Sequence, residues 1–182
     1  MLPKLHLICG AKDGPECSKY VRISNKYVEA CNKFIAIRFE TKDLFDGVDT
    51  DREFDYLIDF AAYKKFTFAN IDRVVINDLL ETELIGYNRD NTYIAAPLIE
   101  TKKADFVWPK IESVWLIEIK EIPSIGITSK YMQLLCSVFD GPLKLTFRGV
   151  DKAILVEELG IESEVRPLGV AILMPAPIHD AS

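Results

Sequence analysis

The sequence predicts a strand-rich α+β fold of two similar helix-plus-antiparallel-sheet units, with the helices on one face. Three observations predict it. Tyr131, Leu134, Leu135, Val138 and Phe139 fall at i, i+3, i+4, i+7 and i+8, the single apolar stripe of an amphipathic helix. Short β-prone runs, such as Phe34 to Phe39 and Leu143 to Phe147, are separated by turn residues. The order of strand, short helix and further strands occurs twice.

Leu5-His6-Leu7-Ile8-Cys9 is a short apolar run that reads as a strand, and Ala11 to Pro15 turns around Asp13-Gly14. Tyr20 to Ile23 alternates, Ser24-Asn25-Lys26 turns, and an extended stretch runs from Tyr27 to Phe39. Asp43 to Asp51, acidic and holding Gly47, reads as a loop. From Phe54 onward two periods compete. Phe54, Leu57, Ile58, Ala61 and Ala62 fit a helical face, and Thr50 with Glu53 fits a capping box. Phe54, Tyr56, Ile58 and Phe60 alternate as a strand does. The repeat described below favours a strand followed by a short helix from about Ala61 to Asn70.

Arg73 to Asn77 is a strand. Glu83 to Tyr87 and Thr92 to Leu98 flank Asn88-Arg89-Asp90-Asn91, a four-residue hairpin loop. Lys102 to Pro109 is a connector holding Phe106 and Trp108, and Val114 to Ile119 reads as extended. Thr128 or Ser129 can cap the second helix, and Asp140-Gly141-Pro142 stops it. Leu143, Leu145 and Phe147 alternate with Lys144, Thr146 and Arg148, a half-buried strand. Gly149-Val150-Asp151 turns into Lys152 to Glu158. The loop Gly160 to Gly169 leads to a last strand, Val170 to Met174, ended by Pro175 and Pro177.

The repeat pairs two segments. Tyr56-Leu57-Ile58 precedes Ala61 to Phe66 and then Arg73 to Ile76; Ser124 to Ile127 precedes Ser129 to Leu134 and then Leu143 to Phe147. Tyr63 and Tyr131 occupy equivalent places. Each helix needs its apolar stripe covered by a sheet, so two such units can pack side by side with the helices together and the sheets outside.

The 182 residues suit one domain with its own core, or one domain with a sizeable extension. No apolar run approaches the roughly 20 residues of a membrane span, and Met1 to His6 lacks the apolar stretch of a signal peptide, so a cytoplasmic protein is expected. Cys9, Cys17, Cys31 and Cys136 have no CxxC spacing and read as reduced, buried thiols. With only His6 and His179 available, no metal site is expected. The net charge of −6 excludes a protein that coats nucleic acid with its whole surface, while leaving room for one basic face.

Ile125-Gly126-Ile127-Thr128-Ser129-Lys130-Tyr131 resembles the strand and helix start in the last domain of the bacterial DNA polymerase III β subunit, the sliding clamp. Leu143 to Phe147, Ala153 to Glu157 and Gly169 to Pro175 are similar to the strands that follow, the last closing on Met-Pro. More loosely, Glu29 to Lys33 and Ala104 to Pro109 sit where clamp domains have a turn and a short Phe-Pro segment. The resemblance covers about 18–178, with its specific part at 125–178. The sequence departs from the family in having room for one domain rather than three, in lacking an opening helix, and in placing Asn32 where the turn has aspartate. The resemblance implies a single DNA-clamp-like domain over 1–182, with unit one at about 18–119 and unit two at about 120–178.

A clamp does no bond chemistry and needs no cofactor. By resemblance, Lys64, Lys65 and Lys130 on the two helices would meet DNA phosphates weakly and non-specifically; the alternative is that they are solvated lysines on an exposed face. Arg22, Lys33 and Arg38 could add charge. Ile172, Met174 and Pro175 would line a pocket for polymerase-type peptides, or Ile172 and Met174 are ordinary strand core. Walker, GxSxG, GxGxxG and HExxH motifs are absent. Asp43, Asp46, Asp49, Asp51 and Asp55 do not match an EF-hand and read as a solvated acidic loop, and nothing local supports pairing Cys31 with a histidine. The expectation is a non-enzymatic, sliding-clamp-like scaffold for DNA and/or replication-protein peptides, with a homo-oligomer among the assemblies it allows and no membrane partner. The alternative is a phage or mobile-element interaction protein that keeps the clamp fold and has lost DNA binding. An enzyme of unrecognised type is a third reading.

Overall fold

The computed structural model describes residues 2–10, 14–45, 48–49, 51–68, 71–77, 82–90, 92–110, 125–149, 152–160 and 169–176. The expected strand Val114–Ile119, the turns at Asp13 and Asp46-Gly47, the Thr50 cap, most of the loop Gly160–Gly169, Pro177 and His179 lie outside them.

The strands are β1 (Tyr20–Ser24), β2 (Tyr27–Cys31), β3 (Ile35–Glu40), β4 (Asp55–Asp59), β5 (Ile71–Asn77), β6 (Glu83–Asn88), β7 (Tyr93–Pro97), β8 (Ile99–Glu100), β9 (Leu143–Thr146), β10 (Ile154–Glu158) and β11 (Val170–Leu173). The helices are α1 (Thr41–Leu44), α2 (Phe60–Phe68) and α3 (Ser129–Val138), with 3-10 turns at Leu5–Leu7, Glu16–Lys19 and Thr101–Lys103. One sheet of eight strands runs β8-β4-β1-β2-β3-β11-β10-β9, and a second of three runs β5-β6-β7. Every pairing is antiparallel.

Three meanders recur: β1-β2-β3, β5-β6-β7 and β9-β10-β11. The second follows β4 and α2, and the third follows α3 and the bridge that Gly126 makes with Ala176. This is the repeat expected from sequence, extended by one meander. β5-β6-β7 remains a separate sheet, whereas β11 pairs with β3 and fuses the first and third meanders.

The apolar run Leu5–Cys9 is a 3-10 turn, not a strand. It is closed by Leu7 N–H donating to Lys4 O and Ile8 N–H donating to Leu5 O, each at 3.0 Å, and Leu5 and Ile8, three residues apart, both turn into the core. This turn packs against β2, α2 and α3, in the place where the other meanders have a helix. The stretch Tyr27–Phe39 is also not one strand. Asn32 breaks it, its Oδ1 accepting from Phe34 N–H at 2.8 Å and Ile35 N–H at 3.0 Å. Its Nδ2 donates to Ile8 O at 3.1 Å, a bond that an aspartate could not make. The expected acidic loop begins as the single helical turn α1.

Strand alternation sorts the large sheet into two faces. Val21, Ile37, Ile58, Val156 and Leu173 point inward and join Tyr63 and Phe66 of α2 and Leu135 and Val138 of α3 in one core. Both helices therefore cover the same face. Tyr63 is fully buried and donates to Pro3 O at 3.0 Å, while Tyr131 is half-buried and stacks on Phe34, so the two tyrosines match in order but not in surroundings. Asp59 caps α2, its Oδ1 accepting from Ala61 N–H at 2.8 Å and Ala62 N–H at 3.2 Å. Thr128 sits at the N-cap of α3, where its carbonyl rather than its side chain takes the first helical bonds.

Candidate nucleic-acid and peptide interfaces

Lys64 and Lys65 lie on the outward side of α2, and Lys130 on that of α3, all exposed. Neither helix contains an acidic residue along its 9 and 10 residues respectively. The Lys64 ammonium rests 5.6 Å from the Phe68 ring. Below it His6 is buried, its pKa lowered by desolvation and then by the charges of Lys64 and Lys4.

The three residues expected to bind a partner separate. Ile172 is only 6 % exposed and lies on the outer side of β11, packed with Trp108, Leu57 and Cys31. Such burial fits the strand-core alternative for Ile172. Met174 is 42 % exposed and Pro175 half-buried. Met174 N–H donates to Phe34 O at 3.0 Å, extending the β11–β3 ladder by one pair.

That bond brings Phe34 to the same surface. Phe34 is 40 % exposed, stacks on Tyr131 with ring centroids 5.0 Å apart, and has the Lys33 ammonium 5.6 Å from its ring. Phe34, Tyr131, Met174 and Pro175 thus form a partly apolar patch between α3 and the end of β11. Phe34 precedes β3 within the Asn32 turn, where strand alternation does not fix its side, so the sequence carries no signal for this contact.

The outer face of the large sheet carries a charged row. Arg22 opposes Glu29, which opposes Arg38, on consecutive strands. Arg22 makes a two-pronged bond to Asp55 (Nε–Oδ1 2.8 Å, Nη2–Oδ2 2.9 Å) and a third to Glu29 Oε2 at 3.2 Å. Arg38 stacks 4.2 Å over Tyr27. A groove of about 860 Å³ opens above this row, with Tyr27, Phe54 and Tyr56 among its walls. Among the described residues no three His, Cys, Asp or Glu side chains converge to hold a metal ion, and no helix is long and apolar enough to cross a membrane.

Two helices on one face of antiparallel meanders define a DNA-clamp-like fold. Comparison with solved structures agrees. PCNA from Thermococcus kodakaraensis superposes with a TM-score of 0.54 at 11 % identity, over 87 % of this chain and 91 % of that one. The sliding clamp (DNA polymerase III subunit beta) from Pseudomonas aeruginosa gives 0.61 at 9 % identity, over 97 % of this chain and 64 % of that one. The Helicobacter pylori β clamp, bound to a DNA ligase peptide, gives 0.56 at 6 % identity, over 98 % and 64 %. The chain therefore has the sliding-clamp fold and spans about two-thirds of the length of these bacterial clamps. No protein-family model matches the sequence, and no curated protein matches it.

Proposed function

We propose that the chain is a non-enzymatic, sliding-clamp-like scaffold of the cytoplasm, acting beside DNA replication. One observation carries the reading: in a protein of net charge −6, the two helices that cover one face bear Lys64, Lys65 and Lys130 and no acid. Such segregation lets phosphates approach that face while the rest of the surface repels them. In this reading the chain is one clamp-like body, and the pairing of β3 with β11, which links the first and third meanders, supports it. A ring would need more copies, with the end strands of the two sheets, among the described residues, as the edges that pairing would use.

The patch of Phe34, Tyr131, Met174 and Pro175 supports a second role, docking of replication-protein peptides through an apolar anchor. It also favours an alternative, a scaffold that binds proteins alone. Light scattering with and without duplex DNA at low salt separates the two. The proposal expects a mass increase with DNA that disappears at high salt. A mass unchanged by DNA at low salt would remove the DNA-binding reading and leave the protein-only scaffold.

A further inference from the structure

The outer face of the large sheet holds two thiols that a clamp does not use. Cys17 lies on the 3-10 turn that leads into β1, and Cys31 ends β2. Val21 opposes Ala30, so the end of β2 reaches the start of β1 and the turn brings Cys17 against it. The Cys31 thiol donates to Cys17 Sγ at 3.6 Å. Both side chains are buried, at 2 % and 4 % exposure. A disulfide bond is about 2.05 Å long, so closure requires the sulfurs to approach by roughly 1.5 Å.

The neighbouring cysteines are placed differently. The Cys9 thiol donates to Tyr20 O at 3.4 Å, and burial pushes it up to about 12, so it stays protonated. Cys136 is exposed on α3, which covers the opposite face.

The cover over the pair is a strap. Trp108 packs with Cys17 and Cys31, Phe106 stacks on Tyr20 at 5.5 Å, and Val107 between them is 86 % exposed. The buried indole Nε1 of Trp108 has no hydrogen-bond partner among the described residues. The strap is thus held at Trp108 by packing, and local opening there gives a small molecule access to the sulfurs.

We propose that Cys17 and Cys31 form a redox-active dithiol site that exchanges with small-molecule disulfides to give an intramolecular disulfide. Cys17 is the first nucleophile, because the hydrogen bond from Cys31 favours its thiolate; the same bond, with burial, pushes the Cys31 thiol up. The Cys17 thiolate attacks one sulfur of the small disulfide and expels the other as a thiolate, which takes up a proton. Cys31 then loses its proton and displaces the second half. Two protein thiols are oxidised to one disulfide, the small disulfide is reduced to two thiols, and two protons pass to them. The product staples the turn before β1 to the end of β2.

The test uses the full chain with Cys9→Ser and Cys136→Ser, leaving one thiol pair. The protein is incubated with oxidised glutathione, unfolded in guanidinium chloride containing excess N-ethylmaleimide near neutral pH to alkylate free thiols, and weighed. The expected product is lighter by two hydrogens, carries neither glutathione nor alkyl groups, and reverts with dithiothreitol. Full alkylation of both thiols, under conditions that glutathionylate Cys136 in the unaltered chain, would overturn the proposal, as would stable glutathione adducts on both. Peptide mapping of the unaltered chain guards against a misfolded variant. A Cys17–Cys31 cross-linked peptide supports the site, and cross-links through Cys9 or Cys136 in its place contradict it.

Discussion

Among the described residues, the inner face of the eight-stranded sheet is covered by α2, α3 and the N-terminal turn, whereas the outer face carries the Phe106–Trp108 strap and a row of charges. The same strands supply both, since successive side chains point to opposite sides. Inward positions are filled by aliphatic and aromatic groups whose burial drives folding. Outward positions hold Arg22, hydrogen-bonded to Glu29 and Asp55, and Arg38, stacked on Tyr27; such exposed-face contacts fix geometry and contribute less net stability. One face of this protein is a foundation, and the other is where chemistry can be placed.

The comparison predicts unequal costs. Leu135→Ala, at a fully buried inner position, is expected to destabilise by about 3 kcal/mol in denaturant unfolding. Glu158 tests the rule from inside. It sits in phase with Ile154 and Val156 on the inner face, yet it is buried because its carboxylate accepts from Asp140 and Gly141 N–H at 2.9 Å each and from Gly169 N–H at 3.2 Å. Glu158→Ala leaves those donors without their acceptor and should cost about 2 kcal/mol. On the outer face, Asp55→Asn weakens the Arg22 fork and should cost about 1 kcal/mol, less at high salt. Trp108→Phe keeps most of the packing and removes an N–H without a partner; the expected change is under about 1 kcal/mol. An outer substitution as costly as Leu135→Ala would break the contrast.

The smallest effect is a pH dependence. His6 has its pKa lowered in the folded state from 6.5, so folding favours its neutral form. Its contribution is present above 6.5 and is lost as pH falls through the lower folded value. Thermal unfolding followed from neutral pH downward should therefore be flatter for His6→Gln than for the unaltered chain.

Local signals made much of this legible in the sequence. The stripe of α3, the alternation of β9 and the hairpin of β6 and β7 each lie within one window of the chain. The competition at Phe54–Phe60 was resolved by comparison with the second unit, and β4 followed by α2 is the result. Other features depend on distant partners. Leu5 and Ile8 pack as a turn because α2 and α3 stand on either side of them. Ile172 reads from sequence as a candidate contact residue, and its burial depends on a cluster drawn from segments far apart in the chain. Phe34 joins Tyr131 and Met174 only through the β3–β11 pairing. The Cys17–Cys31 contact spans fourteen positions with no motif spacing.

The most direct test of the clamp account is the salt dependence of duplex DNA binding by the unaltered chain and by the variant Lys64→Glu, Lys65→Glu, Lys130→Glu. Each lysine at a phosphate contributes about 0.9 to the slope of log affinity against log salt. The account predicts weak, sequence-independent binding whose slope falls by about 2 to 3 in the variant. Equal slopes and affinities for the two proteins, or no binding by the unaltered chain at low salt, would contradict it.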